Sequence, residues 1–178
     1  MADKIYLIRH GESVANSENL SAGWLDSPLT DNGREQAAAA RGKLEKYGAR
    51  PDIVVHTGLS RTRETAEILN MHAGAPMREV RDLIEQNFGD WQGGPWARVH
   101  EGLENNEEPP GGENAEEFMA RVVRGMAVVE QLPGQIWVAT HGGVMKALMR
   151  HYRADVMRVT NCMVCEVLPI TKQIKLLD

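Results

Sequence analysis

Several features that other protein classes depend on are scarce in this sequence. It has two cysteines in 178 residues, too few for a disulfide framework, so we expect a reducing, cytoplasmic setting. Its apolar runs are only a few residues long, so we expect no membrane-spanning segment. Its net charge of −5 argues against nucleic acid or an anionic membrane as the main partner. An apolar run begins at Ile5 without the charged and apolar regions of a signal peptide, so we expect none.

The composition and the periodicity of apolar residues are typical of one α/β domain. The 178 residues, 42% of them hydrophobic, fit a single globular domain over 1–178. Short runs rich in strand-favouring residues alternate with segments of helical spacing. The predicted strands are 5–8, 52–56, 77–80, 136–140, 163–169 and 173–177, and the predicted helices are 30–48, 61–72, 115–132 and 144–151. A long irregular stretch is predicted over 83–114, which is typical of a lid or of the wall of a site.

A cation and an imidazole follow the first predicted strand. Residues 5–8 form a short apolar run typical of a buried parallel strand, and Arg9-His10-Gly11 comes directly after it. Ligands of open α/β sheets bind beyond the carboxyl ends of the strands. The forked guanidinium of arginine suits phosphate oxygens, histidine can act as nucleophile, base or metal ligand, and glycine allows close backbone approach. These residues predict a phosphate site with a reactive histidine.

The same arrangement recurs later in the chain. His141-Gly142-Gly143 follows the predicted strand 136–140, and the strand 52–56 leads to Arg61 at the start of a helix. Helix N-termini present free N–H groups and the positive end of a dipole, which also suits phosphate. If these strands are parallel in one sheet, their ends converge on one pocket with two histidines and two arginines. The residues alone leave open whether His10 or His141 would be the nucleophile.

Six pieces of the sequence, in order between residue 5 and about residue 151, carry a resemblance to one family. They are residues 9–13 with Asn16, 29–37, 59–66, 83–85 with 88–93, 111–114 with Arg121, and 140–143. Together they resemble the motifs of the histidine phosphatase superfamily, also called the phosphoglycerate mutase-like family. The resemblance implies a three-layer α/β/α fold with a mixed, mostly parallel six-stranded sheet that has one antiparallel strand.

The resemblance also implies a role for each residue. His10 would be the nucleophile that becomes phosphohistidine, and Glu85 would donate a proton to the leaving oxygen. The phosphoryl group would be bound by Arg9, Arg61 and His141, with help from Asn16 and the Gly142 backbone N–H. Gly23 and Trp91 are predicted substrate contacts. No cofactor and no metal are implied, since two forked arginines and a second imidazole can balance the charge of a transferring phosphoryl group.

Simpler interpretations remain beside several of these roles. The acid at Glu85 could be confused with Glu79, Asp82 or Asp90, and Trp91, like Trp96, could close the core instead of walling the pocket. His56 is better explained by packing. Cys162 and Cys165 form a single C-x-x-C without a second pair, and buried small hydrophobic residues explain them better than zinc or redox chemistry.

Within the family the sequence favours a phosphatase over a mutase. Phe88 and Trp96 stand where a segment of the mutases has a tyrosine and a substrate-binding lysine. Ala22 stands where the mutases have the threonine of a Thr-Gly-Trp motif, and an insertion that mutases carry is missing. Residues 88–93 resemble α-ribazole phosphatases, which suggests a small phosphorylated metabolite. The alternatives are a mutase, a non-catalytic phospho-ligand binder and a metallohydrolase. The metallohydrolase is less favoured because the two histidines lack the spacing of metal ligands. A second copy of the chain, as in a homodimer, is a further candidate partner, since the sequence does not give the oligomeric state.

Overall fold

The computed structural model describes residues 1–177. The strands are β1 Ala2–Arg9, β2 Ile53–His56, β3 Met77–Glu79, β4 Gly134–Thr140, β5 Val164–Leu168 and β6 Gln173–Leu176. The helices are α1 Val14–Ser17, α2 Asp31–Lys46, α3 Ser60–Asn70, α4 Trp96–Glu104, α5 Ala115–Glu130 and α6 Gly142–His151. Across residues 1–177, no helix combines the length and apolar character that crossing a membrane needs.

All six strands form one sheet in the order β3-β2-β4-β1-β5-β6. β1, β2, β3 and β4 are parallel, whereas β5 is antiparallel to β1 and β6 is antiparallel to β5. β5 is therefore the one strand that runs against the other five. The predicted mixed, mostly parallel six-stranded sheet with one antiparallel strand is confirmed.

Alternating side chains of the central strands divide the core into two layers. In β1, Ile5 and Leu7 pack with the layer that contains α5 and α6, while Tyr6 and Ile8 pack with the layer of α2 and α3. The same alternation holds in β4, since successive side chains of a strand point to opposite faces. Each fully buried Ile, Leu or Val side chain among them contributes about 1.5–3 kcal/mol by its burial. Helices on both faces of the sheet give the three-layer arrangement.

The prediction of an irregular stretch over 83–114 is wrong in part. It contains α4 and a short 3-10 helix at Gly89–Trp91, and another 3-10 helix at Arg81–Leu83 runs into it. Gly102 inside α4 weakens the sequence signal for a helix, but the Trp91 ring lies where a side chain would project, 2.6 Å from an ideal Cβ. Glycine at this position therefore leaves room for the Trp91 ring to pack against α4, a tertiary contact that helix propensity does not indicate.

Candidate active site

The two motif histidines lie side by side because their strands are neighbours. β1 pairs with β4 in parallel, with Arg9 opposite Thr140, so His10 and His141 leave the sheet at the same level. Their ring centroids are 5.2 Å apart in an edge-to-face arrangement. Both are buried, with His10 4% exposed and His141 0% exposed. The predicted convergence of these strand ends is what the structure has.

His10 is arranged as a neutral imidazole with one free ring nitrogen. Its Nδ1 lies 2.7 Å from the Gly11 carbonyl oxygen, which can only accept, so Nδ1 carries the proton and Nε2 keeps a lone pair. Burial, and then the charges of Arg61 and Arg9, hold the pKa of His10 well below its usual range. Asn161 Nδ2 donates to the His10 carbonyl at 3.1 Å and fixes the backbone. This imidazole can therefore act as a nucleophile at neutral pH.

Two guanidinium groups are anchored beside the histidines by backbone carbonyls. Arg61, in the first turn of α3 and 2% exposed, donates to the Leu25 carbonyl at 3.0 Å and to the Gly23 carbonyl at 2.7 Å. Burial lowers its pKa to about 10, which leaves it charged at neutral pH. Arg9 donates to the Val159 carbonyl at 2.8 Å, and its buried Nε has no partner among residues 1–177. Since the acceptors are neutral carbonyls, the positive charges remain available to an anion.

His141 is held through a pair of threonine hydroxyls. Its Nε2 lies 2.9 Å from Thr57 Oγ1, which is 2.9 Å from Thr62 Oγ1, and Thr62 donates to the Leu59 carbonyl at 2.9 Å. Nδ1 of His141 is buried and has no hydrogen-bond partner within the described chain. Burial, followed by the charges of Arg61, His10 and Arg9, keeps the pKa of His141 well below its usual range. If the Thr57 hydroxyl donates to Nε2, Nδ1 carries the ring proton and can donate it to an oxyanion seated among these groups.

Asn16 and Gly142 add donors to the same cluster. The Asn16 side-chain oxygen accepts from the Ser13 N–H at 3.3 Å and from Asn161 Nδ2 at 3.1 Å, so its own amide nitrogen is left for another acceptor. Gly142 is the first residue of α6, directly after the N-cap His141. Helix N-termini expose N–H groups to anions. An ideal Cβ on Gly142 would lie 3.5 Å from Arg9 Nε, which places this arginine against the helix start.

The Glu85 carboxylate lies at the start of α6. Its Oε2 accepts from the Gly143 N–H at 3.0 Å, and its Oε1 accepts from the Gln86 N–H at 3.0 Å. Two of the three carboxylates that could be confused with it have other contacts. Asp82 lies 3.4 Å from Arg124 on an exposed surface, and Glu79 lies beside Gly58. Glu85 is thus the candidate acid that contacts α6, the helix that begins after His141.

The two predicted substrate contacts differ in their surroundings. The Gly23 carbonyl holds Arg61, and its φ of +49° together with the adjacent Gln92 side chain requires glycine there. The Trp91 indole packs on α4, with the Arg98 guanidinium 4.4 Å from its ring centre. A substrate role for Trp91 stays a prediction.

The two cysteines pack in the core of the protein. Cys162 and Cys165 are free and pack with opposite core layers, and burial raises the pKa of their thiols to about 12 and about 11. Among residues 1–177, no three His, Cys, Asp or Glu side chains are grouped as ligands for a metal ion.

Three supporting residues were missed by sequence reasoning. Thr57 follows β2 as His10 follows β1, so a strand-end signal was available for it. Asn161 lies beside Cys162, which has a φ of +55°, and nothing in the sequence links this loop to His10. Arg121 was matched to a motif without a role, and it lies beneath Glu85 with its Nη2 donating to the Glu85 carbonyl at 3.0 Å.

Comparisons with known proteins agree with this geometry. A 2,3-bisphosphoglycerate-dependent phosphoglycerate mutase of Mesorhizobium japonicum is 32% identical over an alignment of 166 residues, which covers 84% of this chain and 81% of that protein. The structure of a phosphoglycerate mutase from Thermus thermophilus is 34% identical, covers 92% of each chain and has a TM-score of 0.74. YhfR of Bacillus stearothermophilus, at 24% identity and a TM-score of 0.79 over 94% of this chain, shares the fold.

The family model named histidine phosphatase superfamily (branch 1) matches residues 5–173, a span that includes every motif residue gathered at this edge of the sheet. The chain belongs to the histidine phosphatase superfamily.

Proposed function

We propose that this protein is a metal-independent phosphomonoesterase that cleaves a small phosphorylated metabolite through a phosphohistidine on His10. The observation that carries the proposal is the state of His10. Its Nδ1–H is committed to the Gly11 carbonyl, its ring is neutral, and the charged Arg9 and Arg61 lie close enough to lower its pKa. A lone pair on Nε2 beside two cations suits attack on a bound phosphoryl group.

In the first step, His10 Nε2 attacks phosphorus, so that a P–N bond forms as the P–O bond to the leaving group breaks. Arg9, Arg61 and His141 hold the equatorial oxygens, whose charge must be balanced throughout. An alkoxide is a poor leaving group, and a proton delivered to it is worth about 10²–10⁴ in rate. Glu85, in its protonated form, supplies that proton.

In the second step, the Glu85 carboxylate takes a proton from water as the water oxygen attacks phosphorus. The P–N bond breaks, inorganic phosphate leaves, and both His10 and the protonated Glu85 are regenerated. One carboxyl group thus serves as acid and then as base.

The residues at two positions of the mutase segment support hydrolysis over isomerisation. Phe88 lacks a hydroxyl and is 4% exposed, and Trp96 has no charge to offer a substrate carboxylate. Relatives named phosphoglycerate mutase, at 31–33% identity, make a mutase the second candidate. Incubation with 3-phosphoglycerate and catalytic 2,3-bisphosphoglycerate separates the two. We expect release of inorganic phosphate from some member of a phosphomonoester panel that includes α-ribazole phosphate, whereas formation of 2-phosphoglycerate without net phosphate would establish the mutase.

The covalent intermediate gives the direct test. Brief exposure to ³²P-labelled substrate followed by an alkaline quench should trap an alkali-stable, acid-labile phosphohistidine. His10→Ala should abolish label and lower turnover by at least about 10³-fold, while His141→Ala should leave some label on His10. Label that survives in His10→Ala and is lost in His141→Ala would reverse their roles.

Metal dependence is tested with the same protein. Turnover of p-nitrophenyl phosphate should survive excess EDTA. Loss of activity in EDTA, with recovery on addition of a divalent ion, would refute the metal-independent mechanism.

A further inference from the structure

One arginine below the site donates all of its guanidinium N–H groups to Glu113 and to the segment that carries Glu85. Arg121, in the middle of α5, is 8% exposed. Its Nη1 donates to the carbonyls of Asp82 at 3.0 Å and Ile84 at 2.9 Å, and its Nη2 donates to the Glu85 carbonyl at 3.0 Å. Its Nε and Nη2 also donate to the two carboxylate oxygens of Glu113 at 2.6 and 2.7 Å. These contacts account for all five N–H donors of an arginine.

Glu113 extends the same contact network to the residues after Glu85. Its carboxylate accepts from the Asn87 N–H at 2.9 Å, and its carbonyl accepts from Gln86 Nε2 at 2.9 Å. The backbone on both sides of Glu85 is therefore tied to one partly buried ion pair. The Glu85 carbonyl accepts a second bond, from Trp24 Nε1 at 2.7 Å, so this residue is held from two directions.

We propose that Arg121 and Glu113 are positioning residues for proton transfer by Glu85, and this inference rests on the proposed function. Arg121 has no donor left for a substrate, so any effect on the reaction passes through the residues it holds. A displacement of about 1 Å in a catalytic group can cost about 10²-fold in rate. Loss of the ion pair should therefore slow the reactions that need the Glu85 proton, while reactions that do not need it continue.

Leaving groups of different basicity separate this role from a purely structural one. p-Nitrophenolate departs without a proton, whereas an alkoxide requires one. Arg121→Lys keeps the charge but offers three donors in place of five, and Glu113→Gln keeps the shape but removes the ionic partner. Arg124→Lys makes the same exchange on the same helix at an exposed position and is the matched control.

We expect Arg121→Lys and Glu113→Gln to lower kcat on an alkyl phosphate by about 10–10²-fold and on p-nitrophenyl phosphate by less than about threefold. Arg124→Lys should change neither rate by more than about twofold. Adding Arg121→Lys to Glu85→Gln should lower kcat on the alkyl substrate little further, because Glu85→Gln has already removed the proton donor that Arg121 positions.

The outcomes distinguish the inference from the function on which it rests. If Glu85→Gln slows the alkyl substrate selectively but both ion-pair variants slow the two substrates equally, the ion pair is only scaffold and the inference fails. If Glu85→Gln itself shows no selectivity, the acid role in the proposed function fails, and the inference fails with it. Thermal unfolding checks that each variant is folded, and Glu113→Gln decides the matter if Arg121→Lys does not fold.

Discussion

The pair of glycines after His141 gives a sharp test of the Glu85 position. Gly142 and Gly143 open α6, and their surroundings differ. An ideal Cβ on Gly143 would overlap the Glu85 carboxylate oxygen, whereas one on Gly142 would sit at an ordinary 3.5 Å from Arg9 Nε. Gly143→Ala therefore requires the carboxylate to move, and Gly142→Ala does not. Both substitutions keep the backbone N–H groups.

The size of the effect follows from the overlap. To reach normal contact with the new Cβ, Oε1 of Glu85 must retreat by about 1 Å, a displacement that can cost about 10² in rate. We expect Gly143→Ala to lower kcat on an alkyl phosphate by about 10²-fold and on p-nitrophenyl phosphate by less than about threefold. The substitution should not destabilise α6, because alanine is favoured over glycine in a helix by about 0.5–1 kcal/mol.

The assay is steady-state kinetics of both variants on the two substrates, with thermal unfolding as the control for folding. Gly142→Ala should not discriminate between the two substrates, since its new methyl group lies 3.5 Å from Arg9 Nε and does not contact Glu85. If Gly143→Ala behaves like Gly142→Ala, or if it slows both substrates equally, the carboxylate of Glu85 is not the proton donor in the place where the structure puts it.

Three further predictions concern the phosphate-binding groups. Thr57→Val should lower kcat/KM about tenfold by leaving a buried nitrogen of His141 unpaired, Thr57→Ser should restore most of it, and equal loss in both would contradict the hydroxyl role. Vanadate should inhibit as an oxyanion mimic, and Arg61→Ala should raise its inhibition constant by about 10²-fold, whereas an unchanged constant would exclude Arg61 from the anion site. The pKa values of His10 and His141 are held well below the usual range, so only the unfolded chain binds protons at these residues near pH 6.5. The free energy of unfolding should therefore fall as the pH drops below about 6.5. The slope should reach about 1.4 kcal/mol per pH unit for each histidine. Urea unfolding at several pH values measures this slope, which should decrease in His10→Asn, and a flat profile would contradict it.

The convergence of His10, His141 and Arg9 could be predicted because it depends on local patterns. A buried apolar run followed by a polar residue marks the end of a parallel strand, and neighbouring parallel strands bring such residues together without further information. His10, His141 and Arg9 obey this rule. Glu85 does not, since it follows a 3-10 helix, and only the family resemblance pointed to it.

The supports of the site could not be predicted because they join distant parts of the chain. The carbonyls that Arg121 holds lie 36 to 39 residues away in sequence, and the Asn161 amide reaches His10 across 151 residues. An arginine in an amphipathic helix reads as a solvated charge until its acceptors are known. Such contacts depend on how loops fold over the sheet, and the periodicity of apolar residues in the sequence does not predict them.

The two halves of the proposed chemistry meet in three consecutive residues. The carbonyls of Gly23 and Leu25 hold the guanidinium of Arg61, and the indole N–H of Trp24 between them holds the carbonyl of Glu85. A proton donor is useful only at a fixed distance from the bound phosphorus, since it must reach the leaving oxygen as the P–O bond breaks. In this chain one short loop segment contacts both Arg61 and Glu85. The loop that precedes α2 therefore does more than connect elements, because a change in its position would move the Arg61 guanidinium and the Glu85 backbone together.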